Sequence, residues 1–168
     1  MQLSKYQVKA FLNVMGDDTS RPVLYGAYVD EYEGRTVLVA TNGYVLAALD
    51  TPELSEHKGE FINRNTFKQW HKDHSAKVQM TSDDIIAALQ PLKTSETNWA
   101  YPKWQLIIDG LKPGSVDKIA INGRYMDTMQ DLNDGEPMTW GFSEGKYSPV
   151  IARANNNIYV IMPLRPQL

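Results

Sequence analysis

A chain of 168 residues with 42% hydrophobic content can bury one sizeable core or a compact pair of domains, which excludes a disordered chain. It has no cysteine, which excludes a disulfide framework, a thiolate nucleophile and a zinc–thiolate site and suits a reducing cytoplasm. The formal net charge is −3, from 17 basic and 20 acidic residues, so contact with a polyanion has to use a local face rather than global attraction.

Ser4 with Gln7 forms a capping-box pattern, and Val8, Phe11, Leu12 and Met15 follow at helical spacing until Gly16 stops the helix. Lys5, Lys9 and Asn13 fall on the opposite face. No apolar run approaches membrane-spanning length, so a soluble, unexported protein without a membrane partner is expected. After the turn-rich stretch 17–22, the pattern predicts a strand over 23–32, a turn at Glu33-Gly34 and a partner strand over 36–40. Thr41-Asn42-Gly43 bends the chain into a further apolar strand over 44–49.

A polar connection over 50–59 leads to a short strand at Glu60-Phe61-Ile62 and a second helix capped by Asn63 or Asn65. Phe67 and Trp70 mark its buried side, and Arg64, Lys68 and Lys72 share the other at four-residue intervals. Residues 77–80 and 85–89 are expected to form a hairpin around Ser82-Asp83-Asp84, and 104–108 a closing strand after Tyr101-Pro102. Lys112-Pro113-Gly114-Ser115 is the best internal boundary. Beyond it come a strand over 118–121, a helix capped by Asn122 with Tyr125, Met129 and Leu132 on its apolar stripe, and strands over 138–142, 149–154 and 158–161. Strand, helix and several strands thus recur three times, giving an α+β fold with a period of roughly fifty to sixty residues.

Signals for catalysis are weak. His71 and His74 bracket Asp73 at metal-ligand spacing, yet no third ligand is evident and a solvated basic helix end is the better reading, so no metal or cofactor is expected. Gly110 and Gly114 lack the flanks of a phosphate-cradling loop, and Ser143 and Ser148 have no histidine nearby in sequence. No active site emerges, so the protein is not read as an enzyme. Lysines on outer helix faces are ordinarily just solvated, but two basic helices at equivalent places in a repeat can also meet phosphates without reading bases. The third helix weakens that pattern, since Arg124 sits beside Asp127 and Asp131.

The carboxyl-terminal run from Asn157 to Pro166 is a strand that Pro163 and Pro166 forbid from continuing. Its Met162 and Leu164 make a poor solvated end, so the tail either closes its own core or forms a binding surface.

Three segments resemble the bacterial DNA polymerase III β sliding clamp family. The run from Leu38 to Ala47 is similar to that family's middle-domain signature, where a Val-Ala strand end is followed by a threonine, an Asp-Gly turn, His-Arg and a leucine. Tyr159-Val160-Ile161-Met162-Pro163-Leu164-Arg165 is similar to the family's ending Tyr-Val-Val-Met-Pro-Met-Arg, and Tyr101-Pro102-Lys103-Trp104 stands where the family has Phe-Pro-Asp-Tyr. The resemblance implies the DNA-clamp (processivity) architecture, with helices on one side and antiparallel sheets on the other. It makes residues 1–112 a complete middle-type domain of two units and 113–168 the second half of a last domain, in a shortened member such as a bacteriophage could encode.

That family holds polymerase and clamp-loader peptides in a hydrophobic cleft. Carried over, the cleft here would use Leu24, Thr41, Gly43, Tyr44, Val45, Leu46, Pro102 and Ile107 on one wall and Val160, Met162, Pro163, Leu164 and Arg165 on the other. Asn42, Tyr44 and Val45 replace the family's Asp, His and Arg, so the rim loses a cation and gains an aromatic ring. Lys5, Lys9, Arg64, Lys68, Lys72 and Arg124 would face the phosphates of an encircled duplex through sequence-independent contacts. A family ring repeats its unit about twelve times, so three units imply four copies, with three copies in a differently paired ring as the alternative. A clamp-like adaptor that binds the same peptides without encircling DNA is the competing expectation.

Overall fold

Following the two-residue strand β1 (Gln2–Leu3), the Ser4 side chain accepts from the Gln7 amide at 3.2 Å and the Gln7 side chain from the Ser4 amide at 2.9 Å. The expected capping box therefore opens α1 (Lys5–Val14), whose Val8, Phe11, Leu12 and Val14 are buried. Because that cap satisfies otherwise orphaned helix donors, Ser4→Ala should lower stability by about 1 kcal/mol, seen as a melting temperature reduced by about 2–4 °C.

The computed structural model describes residues 1–92, 100–145 and 147–165. After α1 come β2 (Gly26–Tyr32), β3 (Arg35–Thr41), β4 (Val45–Asp50), β5 (Glu60–Asn63) and α2 (Arg64–Asp73). Then follow β6 (Met80–Thr81), α3 (Ser82–Ile86), β7 (Gln90–Pro91), α4 (Gln105–Asp109), α5 (Gly123–Leu132), β8 (Thr139–Gly141), β9 (Val150–Ala154) and β10 (Asn157–Ile161). Glu33 at φ 52° and Gly34 at φ 74° make the tight turn that joins β2 to β3.

An eight-stranded sheet runs in the order β7-β5-β2-β3-β4-β10-β9-β8, each pair antiparallel. The last strand of the chain inserts beside β4, with Ile158 opposite Ala48 and Ile161 opposite Val45, so the sheet is continuous across the boundary at 112–115. The period-two alternation then sorts side chains to two cores. Leu38, Ala40, Ala47, Tyr159 and Ile161 pack under α1, α2 and α5 with Phe11, Phe67 and Met129. Val39, Leu46, Ala48, Ile158 and Val160 lie on the other side, covered by Tyr101, Trp104 and Ile108.

The helices run antiparallel to their neighbours and bond one another's ends. Lys5 Nζ donates to the His74 carbonyl at 2.7 Å, at the end of α2, and Gln7 Nε2 donates to the Leu132 carbonyl at 3.0 Å, at the end of α5. The Arg64 guanidinium, at the start of α2, donates to the carbonyls of Leu12 and Met15, where α1 ends. Each contact places a donor on carbonyls that no helical amide can reach. Phe11 and Phe67 meet edge to face with centroids 5.5 Å apart between α1 and α2.

The structure corrects the expectations at several places. Residues 22–24 form a 3-10 turn, so the strand expected from 23 begins only at Gly26. The hairpin expected over 77–89 is absent: Met80–Thr81 pairs with Gln2–Leu3, and Thr81 caps α3 through a capping box with Asp84. The closing strand expected over 104–108 is the helix α4, because Trp104 and Ile108, one helical turn apart, are buried while Leu106 is 64% exposed. Residues 118–121 form no strand. Helix followed by a run of paired strands is consequently kept after α1 and α5 but not after α2, where two-residue strands and short helices replace the expected ladder.

Candidate functional site

The bend between β3 and β4 is built by its own polar residues. Thr41 Oγ1 donates to the Val45 carbonyl at 2.8 Å and accepts from the Gly43 amide at 3.1 Å, while Asn42 Oδ1 accepts from the amides of Tyr44 and Val45 at 2.9 and 3.0 Å. Gly43 takes φ 90°, which favours glycine, and its position would leave room for a side chain, so backbone conformation rather than crowding selects it. The outcome is a fixed turn from which the Tyr44 ring projects, 65% exposed.

Beside this turn lies an apolar groove of about 130 Å3, walled by Leu24, Thr41, Gly43, Tyr44, Val45 and Leu46 from the first part of the chain. Pro102, Trp104 and Ile107 close one side and Val160 and Met162 the other. Every one of these except Trp104 is a residue that the family resemblance assigns to its cleft. Trp104 was missed with α4 itself: three positions before Ile107, it lies on the adjoining turn of the chain only if the segment is helical. The tail continues past the groove, with the Met162 amide donating to the Tyr44 carbonyl at 2.8 Å and the Leu164 amide to the Ala120 carbonyl at 2.7 Å. Pro163, Leu164 and Arg165 lie outside the groove lining. The Arg165 guanidinium instead stands 5.8 Å from the centroid of the Tyr147 ring.

The groove wall at α4 is tied to β2 through two carboxylates, Asp30 on the strand and Asp109 on the helix. Asp30, on β2, accepts from the Trp104 indole at 2.9 Å and from Gln105 Nε2 at 2.7 Å. Tyr32, two residues along the same strand, donates to Asp109 at 2.8 Å. Burial, then that bond to Asp109, pushes the Tyr32 phenol up to about 12, so it remains a neutral donor at physiological pH. Tyr28 and Tyr101 stack at 4.7 Å, and the Tyr101 hydroxyl donates to the Val39 carbonyl at 3.2 Å, anchoring the segment that carries Pro102.

The residues expected to meet phosphates divide into separate groups. Lys5 and Lys9 lie close enough to His71 that, after partial burial, their ammonium groups push its imidazole below the ordinary histidine value, so the outer faces of α1 and α2 adjoin there. Lys9 and Lys72 are exposed, whereas Lys5 is committed to the end of α2. Lys68 sits 5.7 Å from the centroid of the Tyr25 ring. Arg64 and Arg124 lie elsewhere, lining a cavity of about 480 Å3 at the meeting of the end of α1 with the beginnings of α2 and α5. Arg21, which the sequence reading passed over, lines it too. It stands three residues before Leu24, one turn of 3-10 helix, which is the signal that would have paired it with the groove.

Among the described residues, no group of three or more His, Cys, Asp or Glu could hold a metal ion, and His74 instead stacks on Trp70 at 4.6 Å. No helix is long and apolar enough to cross a membrane. No protein-family model and no curated protein matches the chain. Solved structures do. A DNA polymerase III subunit beta sliding clamp from Bartonella birtlesii, bound to griselimycin, superposes with a TM-score of 0.59 and 16% identity over 98% of this chain and 66% of the clamp. A DNA polymerase sliding clamp from Caulobacter crescentus gives 0.59 and 16% over 99% and 65%. A DNA polymerase III subunit beta from Borrelia burgdorferi, in complex with a natural product, gives 0.58 and 12% over 99% and 64%. The chain therefore spans just under two thirds of the length of these clamps, and at such identity the likeness is one of fold: nearly all of this chain adopts the α+β fold of bacterial sliding clamps.

Proposed function

We propose that the protein is a non-enzymatic clamp of the bacterial DNA polymerase III β type, which tethers a replication protein to duplex DNA by docking a short peptide of a polymerase or clamp-loader subunit. The observation that carries this reading is the apolar groove between the β3–β4 turn, α4 and β10, assembled from both ends of the chain and open to solvent. A Leu or Phe side chain buried there would contribute roughly 1.5–3 kcal/mol, enough for two or three anchors to define a motif. On this reading residues 1–112 act as a middle-type domain and 113–168 as half of a last one. Four copies, or three in a smaller ring, would place the outer faces of α1, α2 and α5 toward DNA, with Lys9 and Lys72 as exposed cations.

A second reading, an adaptor that holds clamp-binding peptides without encircling DNA, draws support from a specific observation. Lys5 and Arg64 each donate to helix-end carbonyls, and Lys68 lies over Tyr25, so part of the basic surface is engaged within the protein. Two measurements separate the readings: mass by light scattering at micromolar concentration, and retention on nicked circular DNA before and after linearisation. A clamp gives a multiple of the 19.0 kDa chain and retention that disappears on linearisation. A monomer equally indifferent to both DNA forms supports the adaptor.

A further inference from the structure

The groove wall contributed by β10 and its extension ends in a thioether. Met162 is 37% exposed and lines the groove beside Val160, while its amide donates to the Tyr44 carbonyl at 2.8 Å and so fixes the backbone that presents the side chain. The chain has seven methionines and no cysteine, so the thioethers are its soft, oxidisable groups. Packing sorts them. Met15, Met80 and Met129 are buried in the core under the helices, and Met1 and Met138 pack half-buried against it. Met126, on α5, is 41% exposed but stands apart from the groove lining. Among the described residues, Met162 alone combines exposure with a place in the groove.

The surroundings decide what oxidation of that sulfur would do. Leu24, Val45, Leu46, Ile107 and Val160 present hydrocarbon to the groove. Its buried donors are committed elsewhere, the Thr41 hydroxyl to the Val45 carbonyl and the Trp104 indole to Asp30. A sulfoxide oxygen beside them is a strong acceptor, and a docked apolar side chain would strip it of water without replacing the hydrogen bond.

We propose that Met162 is an oxidation site that controls the groove: peroxide converts its thioether to the sulfoxide, which weakens docking of apolar anchors, and reduction of the sulfoxide restores it. The sulfur lone pair attacks one peroxide oxygen, and the S–O bond forms as the O–O bond breaks. The proton on the transferred oxygen passes to the departing hydroxide, which leaves as water, so the sulfur loses two electrons and the peroxide gains them. The β10 ladder is complete at Ile161, so the added oxygen alters the groove surface and no strand pair. The effect on docking rests on the peptide-groove reading, whereas the selective oxidation of Met162 does not.

The test treats the native protein with dilute hydrogen peroxide and maps oxygen addition at each methionine by mass spectrometry. Binding of a labelled, uncharged, methionine-free peptide with Leu and Phe anchors is followed in parallel by fluorescence anisotropy. Met162 and Met126 should oxidise about tenfold faster than Met15, Met80 and Met129. Peptide affinity should fall about five- to thirtyfold as Met162 sulfoxide accumulates, and methionine sulfoxide reductases acting on both epimers should return it. Excess peptide should slow oxygen addition at Met162 and leave that at Met126 unchanged. Met162→Leu should bind the peptide equally before and after peroxide, whatever its starting affinity, while Met126→Leu keeps the native response. Unchanged affinity at full oxidation of Met162, an equal loss in peroxide-treated Met162→Leu, or a Met162 that oxidises no faster than Met129 overturns the proposal and spares the groove. Untreated protein that binds no such peptide removes the groove reading and the control with it.

Discussion

Removal of residues 162–168 should weaken binding of a short uncharged peptide with Leu and Phe anchors by about thirtyfold or more while leaving the fold in place. The reason lies in where the sheet ends. The β10 ladder is complete at Ile161, whose partners are Val45 on one side and Val150 on the other, so the truncation breaks no strand pair. What it removes is Met162, which forms one groove wall with Val160, together with the amides of Met162 and Leu164 that bond to Tyr44 and Ala120. Loss of a wall residue at the centre of a small apolar groove removes on the order of 2 kcal/mol of binding, the scale of an interface hot spot. The two lost backbone bonds are worth roughly 0.5–1.5 kcal/mol each, so circular dichroism should be native-like and the melting temperature should fall by no more than about 12 °C. Unchanged peptide affinity in the truncated protein would sink the groove assignment.

Asp30→Ala should cost about 2–4 kcal/mol of stability and loosen the groove at the same time. One carboxylate receives both the Trp104 indole and the Gln105 side chain, and Trp104 is only 1% exposed. Removing the acceptor leaves a buried N–H without a partner, which is more expensive than never having had the pair. For a chain of 168 residues, that corresponds to a melting temperature lower by about 5–12 °C. Because Trp104 and Ile107 are both groove walls, peptide affinity should fall as well, although Asp30 itself is not in the lining. Asp30→Asn keeps one acceptor oxygen and should recover part of both losses. Equal stability of native protein and Asp30→Ala by chemical denaturation would show that α4 is held by apolar packing alone.

Local signals and long-range ones were legible to different degrees. The helix starts at Ser4, Asn63 and Asn122 were readable because a cap is a contact between residues two or three positions apart. The strands β3, β4, β9 and β10 were readable because each lies buried on at least one face and carries a run of β-branched or apolar residues. Trp104 to Ile108 is ambiguous because four apolar residues among five fit strand and helix equally, and the helix is held by the burial of Trp104 and Ile108 and by bonds to Asp30, more than seventy residues away. The stretch around Thr81 differs in kind: Thr81 and Asp84 carry a capping-box spacing, yet Ser82, Asp83 and Asp84 are equally turn-forming by composition.

The groove depended on both kinds of information. Tyr44 to Leu46 and Val160 to Met162 are apolar by composition, and their likeness to a clamp family named them as partners. Their meeting is made by β10 pairing with β4, a contact across more than a hundred residues that no local pattern encodes. The charged residues divided differently. Spacing alone grouped Arg64 with Lys68 and Lys72, since it registers only which side of one helix a residue occupies. The packing of α1 against α2 and α5 separated them, drawing Arg64 onto the end of α1 and bringing it beside Arg21 and Arg124. By itself, then, the sequence determined the helix caps, the main strands and the apolar character of the tail, because these rest on contacts between near neighbours and on alternation. Tertiary structure alone decided that the tail walls a groove and that three arginines stand beside it, because both follow from which element lies against which.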